Sequence, residues 1–159
     1  MVSVTFITVG SLKESYLRDG VAEYMKRLSG FCRPISVELK EARTPDSPSA
    51  GEIQAALEAE ADKILAAIPP RAYKIALCVE GKQYPSEELA ALLDSACMEH
   101  SDICFIIGSS FGLSPRVKSA ADLKLSVSKL TFPHQLMRLI SAEAVYRAFN
   151  IIKGTKYHK

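Results

Sequence analysis

The chain has 159 residues, 48% of them hydrophobic, with 20 Lys and Arg against 18 Asp and Glu. That is one domain's worth of sequence, too apolar and too weakly charged to be disordered. No apolar run reaches the roughly 18 residues a membrane helix needs. Met1 to Gly10 also lacks the basic segment and cleavage site of a secretion signal, so the expectation is a cytoplasmic protein with no membrane partner.

The net charge of +2 conceals a split. Residues 1–122 hold 13 basic and 17 acidic side chains. Residues 123–159 hold seven basic ones (Lys124, Lys129, Arg138, Arg147, Lys153, Lys156, Lys159) and the single acid Glu143. A cationic end on a mildly acidic body suits an anionic partner, the plain alternative being a solvated basic face. Cys32, Cys78, Cys97 and Cys104 form no CxxC pair and no metal-ligand spacing with His100, His134 or His158. They predict reduced thiols, no disulfide and no metal.

Strand and helix patterns alternate along the chain. Val2, Val4 and Phe6 alternate with Ser3 and Thr5 in a strand that stops at Gly10. A helix follows over Glu14 to Leu28, then a short strand over Ile35 to Leu39 and a proline-rich loop. Ser49 and Glu52 form a capping box that opens a helix running to about Ala67, where Pro69-Pro70 ends it. Tyr73 to Val79 is a nearly continuous apolar run, as expected of a strand covered on both faces. Ser86 to Met98 is helical, and Ile103 to Ile107 is another buried strand. A short helix after Pro115, a strand over Leu123 to Val127 and a helix from about His134 to Ile152 precede a seven-residue tail. This order predicts a single α/β domain over 1–159, with a mostly parallel sheet and helices on both faces. Ligands on such sheets bind at the carboxyl ends of strands, which selects the loops after Val79, Ile107 and Val127.

Gly108-Ser-Ser-Phe-Gly112 follows a buried strand, where absent Cβ atoms let backbone approach a ligand. Its spacing is neither the dinucleotide GxGxxG fingerprint nor a phosphate loop. The last helix carries apolar or small residues nearly all round, which points to a subunit interface. His134, Arg138, Ser141 and Val145 share one side of it. Glu143 and Arg147 fall near the opposite side, spaced as a helix ion pair. The tail Lys153-Gly-Thr-Lys-Tyr-His-Lys159 combines a planar aromatic, an imidazole and cations, a mixture that suits nucleic acid as well as it suits a frayed basic end.

Val9-Gly-Ser-Leu-Lys13, Val79-Glu-Gly-Lys82, Ile107-Gly-Ser-Ser-Phe-Gly-Leu-Ser114, Leu125 to Gln135, Glu143 to Phe149 and Tyr157-His-Lys159 occur together, in order. With them the chain resembles, end to end, the RlmH family of SPOUT-class 23S ribosomal RNA pseudouridine N3-methyltransferases. The resemblance implies a C-terminal trefoil knot, an exception to the rule that chains avoid knots, and a homodimer that acts on 23S rRNA within the ribosome. It implies that S-adenosyl-L-methionine is held by Leu77, Gly108, Val127, Ser128, Lys129, Leu130, Thr131 and Phe132, with no metal. Ser109 stands where the family usually has a second glycine. On the same basis His134 is the expected proton acceptor or orienter, and Arg138 the group that steadies charge on the base. Glu143, Tyr146 and Arg147 are expected to organise the active site. Tyr157 and His158 would hold the base, with Lys156 and Lys159 on phosphate. Two other classes compete: a non-enzymatic RNA- or ribosome-binding module that uses the basic end alone, and a nucleotide enzyme built on the Gly108–Gly112 loop. The second lacks the third glycine and an acidic ribose partner.

Overall fold

The computed structural model describes residues 1–159. Strands β1 (Ser3–Val9), β2 (Arg33–Leu39), β3 (Tyr73–Lys82), β4 (Asp102–Ile107) and β5 (Leu123–Leu125) form one sheet in the order β2-β1-β4-β3-β5. Every adjacent pair is parallel, so each connection crosses over the sheet. Helices α1 (Ser15–Leu28), α2 (Ala50–Ala67), α3 (Ser86–Glu99) and α4 (Pro115–Ala120) lie in the crossings, and α5 (His134–Lys153) follows the last strand.

A strand sends alternate side chains to opposite faces, and here each face builds its own core. Val4, Phe6, Ile75, Ile103 and Phe105 pack with Leu28 of α1, Leu93 of α3, and Val145 and Phe149 of α5. Ile7, Val9, Ala76, Cys104 and Ile106 face the other way, onto Ala61 and Ile64 of α2 and Val117 of α4. Burial pushes the Cys32 and Cys104 thiols up to about 12, so both act as small apolar groups. All four cysteines are free.

The capping box forms as expected: Glu52 N–H donates to Ser49 Oγ at 3.2 Å and Ser49 N–H donates to Glu52 Oε1 at 3.1 Å. Three strands depart from the sequence pattern. β2 begins at Arg33 rather than Ile35 and takes in Pro34, because an edge strand has one unpaired side where a missing N–H costs nothing. β3 does not end at Val79; Ile75 and Ala76 are buried on opposite faces as expected, but the cover stops beyond Leu77. The strand reaches Lys82, yet Leu77 and Lys82 both pair with Leu125, so residues 78–81 bulge out of the ladder. Val79, on that bulge, is half-exposed. β5 stops at Leu125 instead of Val127, and Ser126 N–H turns to the Lys82 carbonyl at 2.9 Å.

Helix α5 is covered in part by its own chain. Its composition asks for burial nearly all round, and α1 and α3 of the same chain flank it and supply much of that burial. An apolar remainder of Leu136, Leu139, Ile140 and Ala144 stays partly exposed. Gly154, at φ 67°, ends the helix in the left-handed conformation that glycine adopts without strain.

The bulge depends on one glycine. A Cβ on Gly81 would lie 2.7 Å from backbone carbons of both Lys124 and Leu125, whereas one on Gly51 in α2 would meet only open space beyond Ser49 Oγ at 4.0 Å. Gly81→Ala is therefore expected to cost about 1–3 kcal/mol as overpacking against backbone. Gly51→Ala is expected to gain up to about 1 kcal/mol. Urea denaturation of the two variants checks both signs.

Candidate active site

The β3 bulge and the loops after β4 and β5 converge at the carboxyl ends of the strands around a cavity of about 330 Å³. Leu77, Gly108, Val127, Ser128, Leu130, Thr131 and Phe132 line it, as does His134 at the start of α5. Lys129 is exposed and lies off its wall. The sequence reading missed Cys78 and Met137 in the apolar wall, and Lys118, which pairs with Glu80 of the loop after Val79. Lys118 Nζ donates to Glu80, and that hydrogen bond holds the Glu80 carboxyl below the usual carboxylate range. Of seven large hydrophobic residues left exposed, Val79, Phe111, Val127 and Leu130 all belong to this cavity. Apolar surface gathered at one concave place is what a ligand site presents.

Local chemistry sets the shape of the walls. A Cβ on Gly108 would fall 2.6 Å from the Gly112 backbone carbon, so only glycine lets the loop close on itself. Gly112 turns it at φ 86°. Ser109 does not crowd the cavity: its hydroxyl is buried and donates to Glu60 Oε1 at 3.0 Å. Glu60 is itself buried in α2, and its Oε2 accepts from Ala42 N–H at 3.0 Å. In the loop after β5, Ser126 Oγ donates to the Ser128 carbonyl at 2.9 Å and Leu130 N–H donates to Ser128 Oγ at 3.0 Å.

Arg138 is in the protein interior, 5% exposed. Its Nη1 donates to Glu38 Oε2 at 2.8 Å and its Nη2 to the carbonyls of Val9 and Gly10. These bonds tie the end of β1 to β2 and α5, which makes Arg138 a positioning residue rather than a free charge at the cavity.

A second cluster forms from the middle of α5 onward, where the tail folds back on the helix. Glu143 Oε1 accepts from Arg147 Nε at 3.0 Å, from Arg147 Nη2 at 2.5 Å and from the Tyr157 hydroxyl at 3.1 Å. The Arg147 guanidinium covers the Tyr157 ring at 4.8 Å, and Tyr146 meets the same ring edge-on at 4.8 Å. Arg147 Nη1 lies 3.1 Å from His158 Nδ1. A guanidinium can only donate, so Nδ1 accepts and Nε2–H donates to Glu87 Oε1 at 2.8 Å. That bond in turn lowers the Glu87 carboxyl. Burial, together with hydrogen bonding to Tyr24 and Glu143, pushes the Tyr157 phenol well above its ordinary value, keeping it a donor. The tail is docked, not frayed. Lys153, Lys156 and Lys159 stay exposed there without an ion-pair partner.

A family model described as "Predicted SPOUT methyltransferase" matches residues 2–158. A ribosomal RNA large subunit methyltransferase H of Streptococcus thermophilus is 54% identical over 99% of this chain and all of its own length. One of Streptococcus sanguinis is 52% identical over the same shares. The chain belongs to the SPOUT methyltransferase family, in the methyltransferase H group. Two solved structures share the fold. A probable methyltransferase from Bordetella pertussis has TM-score 0.57 at 15% identity, over 93% of this chain and 95% of that one. A tRNA (m1G37) methyltransferase from Aquifex aeolicus has TM-score 0.52 at 13% identity, over 91% and 69%.

In this SPOUT methyltransferase the site residues fall into two groups. His134 stands at the cavity, while Glu143, Tyr146, Arg147, Tyr157 and His158 gather from the middle of α5 onward. Arg147 is thirteen helical steps from His134, about 20 Å of rise. Partial burial pushes the His134 imidazole below its ordinary value; Glu41 opposes the drop, and Arg138 and Lys13 add to it. The folded chain therefore binds a proton at His134 less readily than the unfolded one, and His134 withdraws stability as pH falls below the unfolded value of about 6.5. His134→Gln is expected to lose less stability than the parent between pH 7 and pH 5, and the imidazole resonances of the parent should titrate with a midpoint below about 6.5. A midpoint at or above that value contradicts the assignment.

Proposed function

We propose that this chain transfers a methyl group from S-adenosyl-L-methionine to N3 of a pseudouridine in a stem-loop of 23S ribosomal RNA. It does so as a homodimer, on the assembled ribosome in the cytoplasm. The observation that carries the reading is that seven of the eight residues expected at the methyl donor line a single cavity, with His134 at its edge. The cavity fits the donor by its chemistry. Exposed Val79, Phe111, Val127 and Leu130 offer apolar cover for a purine, and the Gly108 and 126–132 backbone offers hydrogen bonds close to the chain. The threaded knot agrees with the path of the chain: β5 lies at the sheet edge, yet α5 returns to the end of β1 through Arg138.

S-adenosylmethionine brings a sulfonium methyl that is already electrophilic, so the protein's work is alignment and removal of the imide proton. His134, kept neutral by burial, accepts the N3 proton or orients the ring. Arg138 holds the β1 end in place. Glu143 fixes Arg147 and Tyr157, and Tyr146 packs beneath them. Because those groups lie roughly 13 to 20 Å along the helix from His134, a site that uses both draws on two copies. Lys156 and Lys159 meet phosphate.

Calorimetry with S-adenosylmethionine is expected to show binding that Leu130→Asp and Gly108→Val weaken at least about tenfold, more than 1.4 kcal/mol. An absence of binding in the parent would favour the non-enzymatic module. Transfer of labelled methyl should be fast on whole ribosomes and slow on naked 23S RNA, and equal rates would contradict recognition of the assembled particle.

A further inference from the structure

A second, polar cavity of about 670 Å³ adjoins the first, and His134 and Ser110 stand in the walls of both. Gly10, Lys13, Glu38, Lys40, Glu41 and Gln135 are among its other walls. Its carboxylates do not have the same freedom. Glu38 is taken by Arg138 at 2.8 Å. Glu41 is exposed, has no ion-pair partner and follows the end of β2, with its Oε2 3.5 Å from where a Cβ on Gly10 would lie. It is also the largest nearby charge acting on His134.

We infer that this polar cavity receives the acceptor base and that Glu41 selects pseudouridine over uridine by accepting its N1–H. The inference rests on the pseudouridine reading given above. Uridine is joined to ribose through N1 and has one ring N–H, at N3. Pseudouridine is joined through C5 and has two, at N1 and N3, flanking the C2 carbonyl. A base that gives its N3–H to His134 at the shared wall turns N1–H further into the polar cavity, where Glu41 is the uncommitted acceptor. As N3 attacks, its proton passes to the His134 imidazole, the N3–CH3 bond forms and the S–CH3 bond breaks, leaving S-adenosylhomocysteine and an imidazolium. Glu41 accepts a hydrogen bond only and takes no part in the proton transfer; Lys13 and Lys40 stand on the same walls. The carboxylate is held in register with the donor cavity by a buried bridge: Ala42 N–H binds one oxygen of Glu60 and Ser109 Oγ binds the other, both at 3.0 Å.

The test compares kcat/KM on ribosomes that carry pseudouridine at the target position with those that carry uridine there, the latter from cells lacking the isomerising enzyme. The parent should prefer pseudouridine. Glu41→Ala should lower that preference roughly 10- to 100-fold, the range for a lost hydrogen bond to a charged group. Glu41→Gln, which keeps an acceptor oxygen without the charge, should fall between the two. Glu41 is exposed, so each variant should fold, which circular dichroism verifies. If the parent prefers pseudouridine and Glu41→Ala keeps the same ratio, the Glu41 assignment fails and the proposed function stands. A parent that methylates both substrates equally overturns the pseudouridine reading and the selection together.

Discussion

Helix α5 runs unbroken for 20 residues, and its rise holds His134 and Arg147 about 20 Å apart. Side-chain rotation alone does not close that distance, which is the ground for proposing that the donor cavity of one copy works with the tail cluster of another. Each half is separately well built. The cavity has glycine-shaped loops and apolar cover, and the cluster gathers Arg147 and Tyr157 on one oxygen of Glu143. The proposed dimer follows from keeping both halves functional while the helix stays rigid.

Electrostatics gives the two ends different work. Of the seven cations in residues 123–159, Arg138 and Arg147 are consumed internally, by Glu38 with backbone carbonyls and by Glu143. Lys124, Lys129, Lys153, Lys156 and Lys159 remain exposed with no ion-pair partner. The basic bias of the sequence is thus a set of free lysines around two positioning arginines. The lysines are available for counterion release on a polyanion, while the arginines hold backbone and tail in place. Exposed pairs such as Arg27–Glu23 and Arg116–Asp62 contribute little to stability by comparison.

Much of this was legible in the sequence. The alternation of apolar runs and helical periods gave the parallel α/β sheet, because buried parallel strands and amphipathic helices leave different spacings. Ser49 and Glu52 announced their capping box. The three strand-end loops were found because glycine and small polar residues interrupt apolar runs where backbone must approach a ligand. The β3 bulge was not legible, since it depends on Gly81 passing the backbone of Lys124 and Leu125 more than 40 residues away in sequence. Arg138 shares a helix side with His134 and so looked catalytic, but its partner Glu38 is 100 residues distant. Glu60 carried a signal that went unused: a carboxylate on the inward side of α2, among Ala56, Leu57, Ala61 and Ile64, needs buried partners. Those partners, Ser109 and Ala42, could be found only in three dimensions.

The most direct test is complementation between two inactive copies, His134→Ala and Arg147→Ala, each purified and then mixed under conditions that exchange subunits. If the two half-sites belong to different copies, mixed dimers regain one intact site, and an equimolar mixture should recover about a quarter of the parent's methyl transfer, from random pairing in a two-fold dimer. A mixture as inactive as its components would contradict the shared site and place all the chemistry within one chain.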